Sequence, residues 1–299
     1  AFAAEHTTHI LTVANAAGML QTFLAAVDQP SVDGFNTFCV AQLAALEGLK
    51  VVLSGLGGDE LFGGYPSFHR IPLALRLQAA LPGLCESLAQ LAERRRTGAG
   101  LRLAAGLCQP ASVANCFAVV RGLFAPVEVD SLLRHWDLDH QGGPDPHALF
   151  SFVGVDADAF PTPKDAVAWL ESSSYMGDQL LRDSDTFSMA WGLELRLPMV
   201  DSGLFRALAA QPARHRFAAR KQLLRDALPE LATRLPASPK QGFSLPLQRW
   251  FEAQGPLRDQ MRALIPSVPA TLDLQPWARR WGLMVLAQWL ERELGMGLR

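Results

Sequence analysis

Hydrophobic and polar positions follow one another in two different ways along this chain. Short apolar runs of strand type occur at residues 9–13 and 50–54, and the second run leads directly into a glycine-rich turn. Two segments of helical spacing, residues 16–27 and 35–48, lie between these runs. The order strand, helix and strand is typical of a parallel α/β unit. We therefore predict that residues 1–70 form an α/β part.

The pattern changes after residue 70, where no further strand stands out. Apolar residues recur there at a spacing near 3.6, which predicts helices over residues 73–93, 110–121, 165–192, 203–211, 219–228 and 275–295. Two stretches rich in charge, glycine or proline, residues 93–100 and 137–164, are predicted to be exposed loops. The predicted fold class is therefore α/β, with a truncated parallel sheet followed by a large, mainly helical part over residues 71–299.

Composition narrows the class of protein further. The 299 residues are 49% hydrophobic and carry a formal net charge of −2, so neither disorder nor a nucleic-acid or membrane-surface partner is expected. No run of about 18 apolar residues occurs, and no secretory signal opens the given residues. The four cysteines form no CxxC pair. These features favour a cytoplasmic protein with reduced cysteines that bind no metal.

The glycine-rich turn after the second apolar run is the first candidate site. The segment from Ser54 to Tyr65 holds five glycines within ten positions, at the carboxyl end of a predicted strand. Ligands bind at that end of open α/β sheets, and exposed turn amides suit phosphate oxygens. The neighbouring carboxylate of Asp59 suits Mg²⁺. The alternative is a tight structural turn in which Asp59 caps a short helix. No Gly-Lys-Ser/Thr follows, so this is not a Walker A sequence.

A second set of charged residues lies at helical spacing in the middle of the chain. On a helix Asp178, Arg182 and Asp185 share one face, whereas Ser188 and Met189 fall on the buried side. Spacing of this kind alone is more typical of a solvated, ion-paired face than of a binding site.

Two lysines form the third candidate set. Only four of the 27 basic residues are lysines, and two of these, Lys221 and Lys240, lie close together in the sequence. Lys240 stands between Pro239 and a glycine-containing turn, so its backbone is held while its ammonium reaches out. Such a compact charge suits a phosphate or a developing oxyanion. Lys221 lies in a helical pattern, where an ordinary exposed lysine is an equally good interpretation.

Taken together, the three sets resemble the synthetase domain of the glutamine-dependent asparagine synthetase family. The turn is similar to that family's S-G-x-G-x-D-E-x-F-G-G-Y segment. Its D-x-x-S-M-A-x-x-x-E-x-R-x-P-x-x-D segment is matched by Asp185, Ser188, Met189, Ala190, Glu194, Arg196, Pro198 and Asp201. Its K-x-x-L-R helix and P-K-x-G-F segment are matched by Lys221, Leu224, Arg225, Pro239, Lys240, Gly242 and Phe243. The matches keep their order over residues 28–250.

This resemblance implies an adenine nucleotide alpha hydrolase-like (ATP pyrophosphatase) fold and an ATP-dependent ligase that forms amides. A substrate carboxylate, aspartate or a relative, attacks the α-phosphate of ATP and gives an acyl-adenylate and pyrophosphate. An amine then displaces AMP; in the parent family it is ammonia released from glutamine, for asparagine biosynthesis. The first step concentrates negative charge on the phosphates, so Mg²⁺ and a protein cation must meet it.

The resemblance also implies roles for individual residues. Asp59 would hold Mg²⁺, and Lys240 would stabilise pyrophosphate and the acyl-adenylate. Asp178, Arg182 and Lys221 would lie around the substrate and the phosphates. The nucleotide would lie against the turn residues Ser54, Gly55, Leu56, Gly57 and Gly58. Outside the site, the motif residues Glu194 and Arg196 are expected to form a structural ion pair.

Two departures from the family pattern bear on these expectations. The family's pyrophosphate loop, S-G-G-x-D-S, and its amino-terminal glutaminase domain do not occur in the given residues, and the place of the loop would lie before Ala1. The isolated 299-residue piece is therefore expected to be inactive. Leu56 stands where many asparagine-forming members carry Glu, which leaves room for another carboxylate, as in a cyclising or natural-product ligase. A non-catalytic module that kept the fold is the further alternative.

Overall fold

The structure, a computed structural model, describes residues 6–94, 97–138, 159–234 and 245–298. These ranges are mainly helical and include a small parallel sheet made of β1 (Val51–Leu53) and β2 (Glu194–Arg196). The α-helices in chain order are α1 (Val13–Ala26), α2 (Phe35–Leu46), α3 (Gly58–Phe62), α4 (Ser67–Ala80), α5 (Pro82–Arg94), α6 (Gly98–Leu107), α7 (Val113–Arg121), α8 (Pro126–His135), α9 (Pro163–Leu170), α10 (Arg182–Met189), α11 (Ser202–Ala209), α12 (Ala213–Arg216), α13 (Gln222–Ala227), α14 (Pro229–Arg234), α15 (Leu247–Glu252), α16 (Pro256–Leu264) and α17 (Trp277–Leu294). A π-helical segment (Glu171–Leu181) joins α9 to α10, and a 3₁₀ turn (Ala219–Lys221) precedes α13.

The strand predicted at residues 50–54 is confirmed as β1. It pairs in parallel with β2, and Val52 lies beside Leu195. This partner strand corrects the expectation that no strand follows residue 70. The helical pattern ends at Gly192, whose φ of +63° reverses the chain direction, and the strand that follows is only three residues long. A strand that short shows too little alternation to be recognised in the sequence.

The strand predicted at residues 9–13 is wrong, because the end of this apolar run begins a helix. The Thr12 hydroxyl accepts the Asn15 N–H at 3.2 Å, and Asn15 Oδ1 accepts the Thr12 N–H at 3.2 Å. This reciprocal capping box satisfies two backbone donors at the start of α1. The helix-capping signal therefore outweighs the short apolar run before it.

The predicted helices are found, with some different boundaries. The segments predicted at 16–27 and 35–48 are α1 and α2. The long pattern at 165–192 is α9, the π-helical segment and α10 in direct succession. The loop predicted at 93–100 is wrong in its second half, because Thr97 accepts the Gly100 N–H and so caps α6. Of the loop predicted at 137–164, residues 139–158 lie outside the described residues.

An aromatic cluster joins the first part of the chain to the last. The Phe23 ring lies 5.0 Å from Phe35, 4.9 Å from Phe187 and 5.7 Å from Trp281, measured between ring centroids. All four side chains are buried. Gly34, with a φ of +86°, is required beside them because a Cβ there would lie 2.1 Å from the Phe187 ring. The cluster thus fixes α1, α2, α10 and α17 against one another.

A buried ion pair fixes α17 on its other side. Arg279 Nη2 lies 2.5 Å from Glu128 Oε1, and their side chains are 0% and 5% exposed. The guanidinium also lies 4.2 Å from the centroid of the Phe124 ring and donates to the Asp273 carbonyl. The Asp273 carboxylate in turn accepts the Gly98 N–H at 2.9 Å. This network holds α6, α8 and α17 together. No helix in the described ranges is long and apolar enough to cross a bilayer.

Candidate functional site

The glycine-rich turn leaves the sheet at the carboxyl end of β1, as predicted. The Ser54 N–H donates to the Arg196 carbonyl at 2.9 Å, which continues the pairing between the strands by one residue. Gly57 has a φ of +93°, and a Cβ there would lie 2.9 Å from Val200 and 3.2 Å from the Met199 backbone. The turn therefore packs tightly on the segment that follows β2, and only glycine fits at position 57.

Other glycines of the turn have different surroundings. A Cβ at Gly55 would meet no atom within 4 Å, so the backbone is open to solvent at that position. A Cβ at Gly58 would lie 3.9 Å from the ammonium nitrogen of Lys221. One part of the turn is thus packed against protein, and the other faces open space and a cation. That arrangement leaves the backbone of Gly55 accessible to a ligand, whereas the Leu56 and Gly58 N–H groups donate within the turn.

Asp59 and Lys221 meet at this open face. Lys221 Nζ lies 2.7 Å from Asp59 Oδ1, and the two side chains are 33% and 25% exposed. The same oxygen lies against Gly64, where a Cβ would be only 1.8 Å away. Lys221 has a φ of +54°, which is a strained conformation for a residue other than glycine. It is not an ordinary exposed helix lysine, because it precedes α13 and its ammonium faces Asp59.

The alternative interpretation, in which Asp59 caps a short helix, is not observed. The N-cap of α3 is Gly57, which makes no side-chain capping bond, and Asp59 lies within the first turn. Its carboxylate pairs with Lys221 instead.

Sequence reasoning missed a group of buried and half-buried residues behind the turn. Glu60, only 1% exposed, accepts a hydrogen bond from the Tyr65 hydroxyl at 2.7 Å. The Arg121 guanidinium stacks on Tyr65 at 4.6 Å and on Tyr175 at 3.6 Å from the ring centroids. It also donates to Glu171, with Nη2 2.5 Å from Oε2. Burial raises the pKa of Glu171, whereas Arg121 lowers it.

This group holds the end of the glycine turn against α7 and the π-helical segment. Its members are far apart in the sequence and lie at no shared spacing, so no local pattern could have connected them. Tyr65 was visible as the last residue of the motif, but Arg121 and Glu171 carried no signal.

Asp178 and Arg182 lie against the segment that precedes α2. Arg182 Nε is 2.8 Å from Asp28 Oδ2, and the Asp178 carbonyl accepts from the Gln29 side chain at 2.7 Å. Asp178, Arg182 and Asp185 are all exposed, as the helical spacing predicted. Both candidate residues therefore contact the segment that begins at Asp28 and Gln29.

The prediction that Ser188 and Met189 both lie on the buried side of the helix is wrong for one of them. Ser188 is buried as predicted, but Met189 is 56% exposed. Met189 is the last residue of α10, where the chain turns towards β2, so its side chain no longer follows the buried face. The expected ion pair between Glu194 and Arg196 forms at 2.8 Å, on β2 and exposed to solvent.

One buried carboxylate of α10 was also missed. The Ser31 hydroxyl donates to Asp183 Oδ2 at 2.5 Å, which attaches the segment before α2 to α10. Burial, helped by the nearby carboxylates of Asp33 and Asp28, raises the pKa of Asp183 to about 7, although the hydrogen bond from Ser31 acts in the opposite direction. Asp183 directly follows the exposed Arg182 in the sequence. Nothing in the local pattern indicated that its acidic side chain is buried.

The candidate residues of the third set are described only in part. Pro239, Lys240, Gly242 and Phe243 lie outside the described residues, so the role of Lys240 stays a prediction.

The turn fits a magnesium ion that is bound together with phosphate. Among the described residues no group of three or more His, Cys, Asp or Glu side chains could hold a metal alone. In nucleotide sites Mg²⁺ takes one or two carboxylates, and phosphate oxygens and water complete its ligands. Asp59, a partly exposed carboxylate beside the open backbone of Gly55, suits that arrangement.

Comparison with known proteins gives the following relationships. Residues 1–276 match the asparagine synthase family. The chain is 30% identical over 265 residues to a putative asparagine synthetase (glutamine-hydrolyzing) of Mycobacterium tuberculosis H37Rv, covering 85% of this chain and 38% of that protein. A Mycobacterium bovis protein of the same description matches with the same figures.

A more distant relative is asparagine synthetase (glutamine-hydrolyzing) 1 of Bacillus subtilis 168. It is 26% identical over 209 residues, which cover 68% of this chain and 32% of that protein. The chain thus spans 38% or less of the length of these relatives. No solved structure matches it.

Proposed function

Because the chain belongs to the asparagine synthase family, we propose that it is the synthetase part of an ATP-dependent ligase that forms amides. In the proposed reaction a carboxylate oxygen of the substrate attacks the α-phosphorus of ATP and pyrophosphate leaves. An amine then attacks the acyl-adenylate, and AMP leaves as the amide forms. The observation that carries this proposal is the Asp59–Lys221 pair at the open face of the glycine turn.

Asp59 is proposed as the magnesium ligand. When bound, Mg²⁺ neutralises negative charge that develops on the phosphates. The ion pair with Lys221 holds the carboxylate in place, and because the pair is only partly buried, its partners remain exchangeable. Gly64 supports this position because any larger residue would displace the carboxylate.

Lys221 and the turn amides are proposed to bind the phosphates. The ammonium lies beside Gly58, so a phosphate oxygen placed over the turn would meet both the cation and the backbone N–H groups. The nucleotide would lie along Ser54, Gly55, Leu56, Gly57 and Gly58, where the backbone at Gly55 is open. Lys240 is proposed to stabilise the departing pyrophosphate, as the family resemblance implies. The fold is proposed to be of the adenine nucleotide alpha hydrolase-like type.

Arg182 and Asp178 are proposed to lie at the substrate. Arg182 is half exposed and holds Asp28 at 2.8 Å, so it can exchange this partner for a substrate carboxylate. The amine is proposed to be ammonia, released by a glutaminase domain, since the named relatives are glutamine-hydrolyzing enzymes. Asparagine biosynthesis in the cytoplasm is the corresponding role.

A related ligase acting on another carboxylate is the second candidate. The observation that favours it is Leu56, an apolar side chain in the turn between the open Gly55 and the packed Gly57. It offers no charge to an amino group of aspartate.

The test is pyrophosphate release by the full-length protein supplied with Mg-ATP, aspartate and ammonium chloride. Asp59→Asn and Lys240→Ala are each expected to lower the rate at least 100-fold. Asp259→Asn, an exposed carboxylate on α16, serves as the matched control and should leave the rate unchanged. Unchanged turnover in both site variants would refute the assignment. The isolated 299-residue piece is expected to release no pyrophosphate.

A further inference from the structure

A second possible binding site is a cavity of about 440 Å³ between the π-helical segment and α17. None of its described lining residues comes from the glycine turn or from Lys221. Its walls are aromatic, from Phe35, Phe117, Trp277 and Trp281, and polar groups of Asp33 and Gln179 interrupt them. A few polar groups in a largely apolar cavity of this size are typical of small-molecule sites.

The helix that forms one wall has an unusual geometry. The π-helical segment extends over 11 residues, and π-helical turns are rare and often occur at functional sites. Because hydrogen bonds in a π-helix join residues five apart, Ser174 and Gln179 lie on the same face there. Both line the cavity together with Tyr175. In an α-helix the same spacing would turn one of them away.

The cavity presents a carboxylate with no cation of its own. Asp33 Oδ1 accepts the Gly34 N–H at 3.0 Å, and the Asn36 side chain also hydrogen-bonds the carboxylate. Burial raises the pKa of Asp33, and no ion pair joins it to another charge in the described residues. The nearby cation Arg121 is paired with Glu171 and stacked on Tyr175. A carboxylate in such surroundings is complementary to an ammonium group.

The cavity walls also contain two donors without acceptors. Gln179 Nε2 and Trp281 Nε1 are buried and have no hydrogen-bond partner among the described residues. A buried donor left unsatisfied costs about 1–3 kcal/mol, so an acceptor group supplied by a ligand would be favoured here. Asp33 and these two donors are thus complementary to a ligand that carries a cationic group and a hydrogen-bond acceptor.

We propose that this cavity binds an α-amino acid with an apolar side chain. The ammonium pairs with Asp33, the carboxylate accepts from Gln179 and Trp281, and the side chain packs between Phe35, Phe117 and Trp277. An acidic amino acid is disfavoured because Arg121 is engaged by Glu171, so its second carboxylate would be buried without a partner. This inference goes beyond the proposed function, and the binding needs no ATP.

The test is isothermal titration calorimetry of the full-length protein without ATP, with L-phenylalanine as the probe. Three comparison probes each lack one feature: 3-phenylpropionate has no ammonium, phenethylamine has no carboxylate and L-aspartate has no apolar side chain. L-phenylalanine is expected to bind at least tenfold more tightly than each of them. No binding of L-phenylalanine, or equal binding of 3-phenylpropionate, overturns the proposal.

Two variants locate the bound molecule. Asp33→Asn keeps an oxygen that accepts the Gly34 N–H, and it should weaken L-phenylalanine at least tenfold while leaving 3-phenylpropionate unchanged. Gln179→Leu should weaken L-phenylalanine severalfold and leave phenethylamine unchanged. Asp185→Asn, exposed on α10, is the matched control. If Asp33→Asn does not fold, the Gln179→Leu titration decides, and unchanged L-phenylalanine affinity there overturns the proposal. Pyrophosphate release is measured separately, so failure of the proposed function would be distinguishable.

Discussion

Two ion pairs of this chain have similar lengths and opposite surroundings. Arg279 and Glu128 meet at 2.5 Å with almost no exposed side-chain surface, between an aromatic ring and the backbone around Asp273. Lys221 and Asp59 meet at 2.7 Å at the edge of an open glycine turn, with a quarter to a third of each side chain exposed. The two distances alone do not show that the pairs differ in burial.

The difference in burial decides what each pair can do. Opening the buried pair leaves a charge in a medium of low polarity, which costs several kcal/mol, so Arg279 and Glu128 have to stay together. Opening the partly exposed pair costs less, because water reaches a quarter to a third of each side chain. Lys221 and Asp59 can therefore exchange each other for a phosphate and a metal ion. We infer that the first pair serves the fold and the second serves a ligand.

The largest expected change in the free energy of unfolding comes from breaking the buried pair. Arg279→Met keeps much of the side-chain volume but leaves Glu128 buried without its cation, so the free energy of unfolding should fall by about 3–5 kcal/mol. Chemical denaturation measures this change. Arg258→Met, which removes a pair whose carboxylate, Asp259, is 65% exposed, should cost less than about 1 kcal/mol. Equal losses in the two variants would contradict the distinction.

The buried carboxylate of Asp183, which accepts from the Ser31 hydroxyl, gives the next effect, through the pH dependence of stability. The folded state raises the pKa of Asp183 from 3.8 to about 7, so between these values it binds a proton that the unfolded state has released. Its contribution to stability is therefore complete below pH 4 and is lost as the pH rises to about 7. The loss amounts to as much as about 4 kcal/mol.

The check is chemical denaturation of the wild type and of Asp183→Asn across this pH range. The variant should lose this fall in stability, and at pH 8 it should be the more stable of the two. Parallel pH profiles would show that Asp183 does not titrate in this way.

The smallest effect on stability is expected at Lys221. Lys221→Gly relieves the strain of the positive φ, which offsets the greater freedom of glycine in the unfolded chain. The free energy of unfolding should stay the same or rise by up to about 1 kcal/mol, while ATP affinity falls at least tenfold with the loss of the cation. Gln222→Gly, at a helical φ of −55°, should instead lose about 1 kcal/mol and keep its ATP affinity. A marked loss of stability in Lys221→Gly would assign this lysine to the fold.

Local signals in the sequence predicted β1, the turn after it and the helices α1 and α2. The sequence did not reveal β2, because a strand of three residues after Gly192 leaves almost no pattern. It predicted a strand at residues 9–13 because the apolar run was more conspicuous than the Thr12 cap. A helix or strand was thus recognisable where its hydrophobic pattern was long or where glycine marked its end.

The site was predictable as separate residues and not as an arrangement. Asp59 and Lys221 were both candidates, but their contact and the positive φ of Lys221 depend on how distant segments pack. Arg121 and Glu171 were missed for the same reason, since an ion pair between distant helical segments has no local signature. Charge and spacing identify a residue, and only the fold shows its burial.

The central claim is that Asp59 holds Mg²⁺ with ATP at the glycine turn, and the magnesium dependence of ATP binding tests it most directly. Calorimetric titration of ATP into the full-length protein, with and without Mg²⁺, is compared between the wild type and Asp59→Asn. The wild type should bind ATP at least tenfold more tightly with Mg²⁺, and the variant should lose this difference while its metal-free affinity stays the same. An undiminished magnesium effect in Asp59→Asn would contradict the claim.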